Sequence, residues 1–217
     1  MDAFFCRYAK RPLAIDRHGC GFNDSLWLWL IARWLLPEAV VESGTFMGYS
    51  AWLFRQACPA ARIVTHDVEL PLAGRLRARA VDYRLQDWST ASLEGIDPKR
   101  ALCFFDDHIS HFLRLHQAHQ RGFHLVLLDD NFPARQLHAT GAPPLPSLAM
   151  LEDEESLTRT LEWQRKGKHY TYHGAQENAR EHALVKQIVK ACYRFPDLAA
   201  ITRLPPGSNL TLVRLSV

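Results

Sequence analysis

Apolar and polar positions along this chain fall into two kinds of block: short runs of strand length, and longer runs with helical spacing. The first long run, residues 26–36 (LWLWLIARWLL), follows the capping residues Asn23, Asp24 and Ser25 and stops at Pro37, which predicts a helix. Residues 39–41 then lead into Glu42-Ser43-Gly44-Thr45-Phe46-Met47-Gly48, a buried strand running into a glycine-containing turn, with residues 49–57 as the helix beyond it. Four further apolar runs read as strands: 62–66, 81–85, 101–105 and 125–128. Residues 112–121 read as a helix between the last two. From 133 to 174 the periodicity fails, with Pro143, Pro144 and Pro146, an acidic cluster at 152–155 and a polar aromatic patch at 169–173; this marks an insertion or lid. A helix over 176–193 follows. The runs 199–204 and 210–217, separated by Pro205-Pro206-Gly207-Ser208-Asn209, predict a terminal hairpin.

Strands alternating with helices predict an α/β fold: a Rossmann-like, doubly wound, mostly parallel seven-stranded sheet ending in an antiparallel C-terminal hairpin. The expected organisation is a single domain over 1–217, with 1–38 as a helical cover and 134–174 as the insertion. Four of the five candidate strands end in carboxylates: Asp67 and Glu69, Asp87 after Gln86, the Asp106-Asp107 pair, and the Asp129-Asp130 pair. Open parallel sheets bind ligands beyond the carboxyl ends of their strands, so this pattern gathers acid at one edge.

Composition narrows the classes. The 217 residues are 47% apolar and 23% charged, an ordinary globular balance. The net charge of +3 comes from 26 basic and 23 acidic residues scattered along the chain, without the basic stripe of a nucleic-acid binder. The five cysteines, Cys6, Cys20, Cys58, Cys103 and Cys192, are odd in number and form no CxxC pair, which argues against a disulfide framework or structural zinc and for the reducing cytoplasm. Residues 26–36 are too short for a membrane span and are interrupted by Arg33; a core helix is the expectation and an interfacial helix the alternative.

The turn after the first strand offers Gly44 and Gly48, which permit tight dihedrals and close approach of a ligand to the backbone. Phe46 stands where a pyrophosphate-binding fingerprint would place its second glycine, and the Glu42 carboxylate would repel phosphate. The cationic amino and sulfonium groups of S-adenosylmethionine suit it instead; a tight turn without ligand is the alternative. Asp67 is placed to accept from ribose hydroxyls, and Gln86 and Asp87 from an adenine amino group, or else these carboxylates cap turns. The doublets Asp106-Asp107 and Asp129-Asp130 repel unless a cation, a base or a proton relieves them; Mg²⁺ with the Asn131 amide is one answer and helix capping another. His108 and His111, in Asp-Asp-His-Ile-Ser-His, are candidate bases, against the alternative of packed or solvent-facing histidines; with Asp107 they also form a weaker zinc candidate.

These residues resemble a known family. VVESGTFMGYSA resembles the first motif of class I S-adenosylmethionine-dependent methyltransferases, and its GYSA ending is similar to the catechol O-methyltransferase group. LLDDN is similar to that group's metal-binding Asp-Asn pair, here Asp130 and Asn131, while FFDDHISH with VLLDDNFP resembles the cephalosporin-hydroxylase-type enzymes. The likeness spans residues 39–133. It implies that Glu42, Gly44, Thr45, Gly48, Tyr49 and Ser50 surround the methionine part of the cofactor and that Asp67 holds the ribose. It also implies that Asp106 or Asp107 binds metal with Asp130 and Asn131, with Asp106 nearer the cofactor. The implied activity is methyl transfer to an oxygen of a small or sugar-like acceptor with Mg²⁺ assistance; a homodimer is compatible with it. The catechol group's catalytic lysine is replaced by Ile109 and Ser110, which leaves His111, or His108, as the substitute base. A silent S-adenosylmethionine-binding domain, a nicotinamide-dependent oxidoreductase and a metal-dependent hydrolase are the rival readings.

Overall fold

The short apolar runs form the middle of a seven-stranded sheet. The computed structural model describes residues 2–12, 20–69 and 77–216. Helices α1 (Asp2–Ala9) and α2 (Phe22–Leu35) precede β1 (Ala39–Ser43), α3 (Tyr49–Ala57), β2 (Arg62–Asp67), β3 (Val81–Leu85), β4 (Ala101–Phe105), α4 (His111–Gln120) and β5 (Leu125–Leu128). Then come α5 (Glu155–Thr158), β6 (Thr160–Arg165), β7 (Lys168–His173), α6 (Gln176–Ile188), β8 (Val189–Arg194), α7 (Ala199–Thr202) and β9 (Thr211–Leu215). The sheet order is β3-β2-β1-β4-β5-β9-β8; the first five strands are parallel and β9 runs antiparallel to both β5 and β8. This is the expected Rossmann-like sheet with an antiparallel end, and its order reverses between β1 and β4.

All five residues of β1 and of β4 are buried, as required of parallel strands covered on both faces. Alternation divides their side chains between two cores. Val40, Leu102 and Phe104 face Leu28, Ile31, Leu53 and Phe54 of α2 and α3. Val41, Cys103 and Phe105 face Phe112 and Leu115 of α4 and Val185 of α6.

Three segments differ from the sequence expectation. Helix α2 starts earlier, at Phe22, capped by Gly21 without a side-chain bond. Asn23, Asp24 and Ser25 therefore sit inside its first turn, and their side chains make long-range ties instead: Asn23 donates to the Pro205 carbonyl at 2.9 Å, Asp24 accepts from the Ser208 amide at 2.9 Å, and Ser25 meets the Tyr49 hydroxyl at 3.1 Å. The expected helix over 176–193 stops at Ile188, because the β-branched and aromatic tail of the segment finds a ladder partner in β9. The terminal hairpin is thus β8 with β9, and the run 199–204 holds the short helix α7, beside Pro205 and Pro206, which lack ladder donors.

Within 134–174, Leu148, Ala149, Met150 and Leu157 are fully buried, and β6 and β7 form a separate two-stranded sheet with Trp163 stacked on Tyr170 at 5.4 Å. The crossover between β2 and β3, with Arg75, lies outside the described residues over 70–76. Among the described residues no helix is long and apolar enough to cross a membrane. The five cysteines are unpaired.

Candidate functional site

Parallel strands deliver their carboxyl ends to one edge, and a cavity of about 500 Å³ opens there, where the strand order reverses. Its wall takes Gly44 and Phe46 from beyond β1, Asp67 from the end of β2, Gln86 and Asp87 from beyond β3, Asp106, Asp107 and His108 from beyond β4, and Asp129 and Asp130 from beyond β5. Two remote segments close it: Cys20 and Asp24 at the start of α2, and Ser208 ahead of β9.

The turn after β1 is shaped by backbone contact. Gly44 has φ 103°, and a Cβ there would lie 2.1 Å from the Asp106 carbonyl oxygen, so β1 and β4 end backbone against backbone. Phe46 follows at φ 39° and donates its amide to Asp67 Oδ2 at 2.9 Å, while Asp67 Oδ1 accepts from the Glu69 amide at 3.2 Å.

Seven aspartates line this one cavity, so its electrostatics decide what it can hold. Arg114, only 3% exposed, reaches Asp107 Oδ2 at 2.7 Å and Asp87 Oδ2 at 3.1 Å, tying the ends of β4 and β3 together. Burial pushes Asp87 up, but hydrogen bonds from Arg114 and Ser89 outweigh it and leave the carboxyl at about 2. Asp106 and Asp129 have no such cation: burial first, then repulsion from neighbouring aspartates, holds both well above the usual carboxylate range. The Ser208 hydroxyl lies between Asp24 and Asp129.

Glu42 sits under the turn, fully enclosed, with neither carboxylate oxygen hydrogen-bonded among the described residues. Burial raises it from 4.5 to about 7, against the pull of the nearby Ser50 and Thr65 hydroxyls. The folded state therefore holds this proton more tightly than the unfolded chain, and stability falls as pH rises from 4.5 through 7, by roughly 3 kcal/mol. Glu42→Gln is expected to flatten that fall and to raise Tm at pH 8, measured by thermal melts between about pH 4.5 and 8; an unchanged pH dependence would place the titration elsewhere.

Of the residues expected around a cofactor, Gly44, Asp67, Gln86, Asp87 and Asp106 reach the wall. Glu42, Thr45, Gly48, Tyr49 and Ser50 do not: Glu42 is buried within β1, and α3, which begins at Tyr49, turns the rest of the stretch into the core. Thr45 pairs with the Thr65 hydroxyl at 2.6 Å, Gly48 caps α3, and Tyr49 bonds Ser25 across to α2.

Two further expectations are corrected. His111 is buried with both ring nitrogens engaged: Nε2 donates to the Asp129 carbonyl at 2.9 Å and Nδ1 accepts from the Leu148 amide at 3.2 Å. Burial lowers its pKa to about 3, so it has no nitrogen free to act as a base. Asn131 accepts from the Ala149 amide at 2.7 Å and donates to the Thr211 hydroxyl at 2.8 Å, so its amide is spent on structure and is off the wall. Asp107 and Asp130 do reach the wall, but among the described residues no group of three His, Cys, Asp or Glu could hold a metal ion. That removes the zinc candidate built on His108, His111 and Asp107 as well. His108 lies on the wall with Nδ1 3.6 Å from Asp130 Oδ2.

Sequence reasoning missed Asp24, Arg114 and Ser208. Asp24 read as a helix cap and Ser208 as a turn residue; nothing local marks either as a wall residue. Asp129 was visible as half of a doublet, yet its burial was not.

Sheet order, glycine turn and acid-lined carboxyl edge together define the class I methyltransferase fold. No family model matches the chain, and no curated protein matches its sequence. Solved structures do match: the O-methyltransferase TomG from Streptomyces achromogenes, involved in tomaymycin synthesis and solved in complex with S-adenosylmethionine, is 17% identical with a TM-score of 0.57 over 100% of this chain and 91% of that one. The methyltransferase PaMTH1 of Podospora anserina, bound to S-adenosylhomocysteine (SAH), is 14% identical with a TM-score of 0.53 over 100% and 89%. An O-methyltransferase from Bacillus cereus with SAH is 12% identical with a TM-score of 0.50 over 100% and 89%. Likeness at these identities establishes the fold.

Proposed function

We propose that this chain is an S-adenosylmethionine-dependent methyltransferase acting on an oxygen of a small-molecule acceptor, as a single domain in the cytoplasm, without nucleic acid or membrane. The observation that carries the reading is the cavity at the strand-order reversal, whose wall holds seven aspartates against one buried arginine. A dinucleotide would bring pyrophosphate against these carboxylates; S-adenosylmethionine brings a sulfonium and an ammonium. Such a cation also relieves Asp106 and Asp129, so the groups present fit this cofactor. The cofactors named for the three solved relatives agree with this.

In this reading the Gly44 backbone and Asp106 take the methionine part and Asp67 the ribose. Asp87 is already committed to Arg114 and Ser89, which makes Gln86 the adenine partner. The protein's contribution to transfer is positional, holding acceptor oxygen, methyl and sulfur in line. Among the oxygen donors expected for Mg²⁺, Asn131 is turned away and Asp107 holds Arg114.

Calorimetry with SAH and with NAD tests the reading: micromolar SAH binding and no NAD binding are expected, and tight NAD binding without SAH would overturn it. Asp67→Ala is expected to weaken SAH about 10–100-fold, about the worth of one charge-assisted hydrogen bond. Unchanged affinity would remove Asp67 from the ribose.

A further inference from the structure

Resting on the methyltransferase reading, we infer that the acceptor's proton passes to His108, which Asp130 holds in place, and that the transfer needs no divalent ion. The geometry begins with two neighbouring strand ends. His108, beyond β4, has φ 56° and Asp130, beyond β5, has φ 50°. Asp and His tolerate this left-handed backbone better than most residues. Here the two turns bring their side chains together: His108 Nδ1 and Asp130 Oδ2 are 3.6 Å apart, on the wall of the cavity. At 3.6 Å the pair is an ion-pair contact, longer than a hydrogen bond, and catalytic hydrogen bonds are often this long until substrate binds. His108 Nε2 has no partner among the described residues, and the side chain is 57% exposed, so an acceptor hydroxyl can reach it.

Of the residues that the catechol-type resemblance would give to a metal, Asp107 and Asn131 are otherwise engaged. Asp107 accepts from the Ile109 amide at 3.1 Å through one oxygen and from Arg114 through the other, so a guanidinium already occupies the place of a cation. Asn131 clamps the 147–150 turn and β9. Ser110, where the lysine would stand, caps α4 by accepting from the Leu113 amide. The neighbouring imidazole is the basic group that remains on the wall.

The step balances without a further reactant. The acceptor O–H gives its proton to His108 Nε2 while an oxygen lone pair forms the new C–O bond to the methyl carbon. The C–S bond breaks as it forms, its electron pair stays on sulfur, and SAH leaves as a neutral thioether. The imidazolium, faced by the Asp130 carboxylate, then releases one proton to solvent per methyl transferred.

Three measurements on the full chain test this, the first two in its SAH complex and the third with S-adenosylmethionine as donor. Histidine ¹⁵N NMR at about pH 8.5, assigned with His108→Gln, is expected to show His108 protonated on Nδ1, reverting to mainly Nε2 in Asp130→Ala. Mn²⁺ titration followed by EPR is expected to show no site tighter than millimolar. On a panel of phenols and hydroxybenzoates, turnover is expected to survive EDTA; His108→Gln should lower kcat about 10²–10⁴-fold with KM and SAH affinity held, and added imidazole should partly rescue His108→Gly. A proton on Nε2 with Asp130 intact, or a Mn²⁺ site that Asp130→Ala removes, overturns the inference even where no acceptor on the panel turns over. Failure of the chain to bind SAH at all is a different result, and sinks the methyltransferase reading itself.

Discussion

Gly44→Ala is expected to lower Tm by roughly 10 °C and to abolish SAH binding, the first read by differential scanning calorimetry and the second by titration. Two costs add. The residue sits at φ 103°, where an L side chain is strained by about 1–2 kcal/mol, and its Cβ would stand 2.1 Å from the Asp106 carbonyl oxygen. That oxygen is backbone, held by the Asp106 amide bonding to the Ser43 carbonyl at 2.9 Å, so it cannot swing aside as a flexible side chain would. The ends of β1 and β4 must part, for a total of about 4 kcal/mol. Gly167→Ala, in the β6–β7 turn at φ 76° with nothing within 4 Å, isolates the strain alone and should cost about 1 kcal/mol. Equal losses in the two variants would refute the packing argument.

His111→Ala is expected to cost about 3–4 kcal/mol, through two lost buried hydrogen bonds and the cavity left behind. Its pH behaviour identifies the cause. The native ring stays neutral down to about 3, whereas the unfolded histidine takes up a proton near 6.5, so acid favours unfolding across that window. Stability lost between pH 6.5 and 3 in the parent chain should be smaller in the variant, measured by urea midpoints across the range. A His111→Ala protein that kept full stability and lost only turnover would restore His111 as a base.

The strands were the most legible part of this chain. Runs such as Ala101–Phe105 and Leu125–Leu128 are short, apolar and bounded by turn residues, and the structure places strands at those positions. The acidic strand ends were equally plain, because a parallel sheet sends every such end to one edge. What the residues do there was harder to read. Asp-Asp-His-Ile-Ser-His offers two histidines, with His111 the first candidate for a base, and only the packing of α4 against the 147–150 turn separates the enclosed His111 from the open His108. The tail of the α6 segment misled for the same reason: its helical pattern continues past Ile188, but β9 offers a ladder that local propensity does not register.

Local patterning suffices for a Rossmann-like α/β sheet and a carboxyl edge rich in aspartate, since strand length, turn residues and alternation act over a few neighbours along the chain. Tertiary structure alone decided which acids share a cavity and which hold the frame. The Ser208 contact with Asp24 joins residues 184 apart, and the diversion of Asn131 to Ala149 and Thr211 is fixed only when β9 docks beside β5. Such contacts depend on chain closure and burial, and these leave no periodic trace in the order of residues.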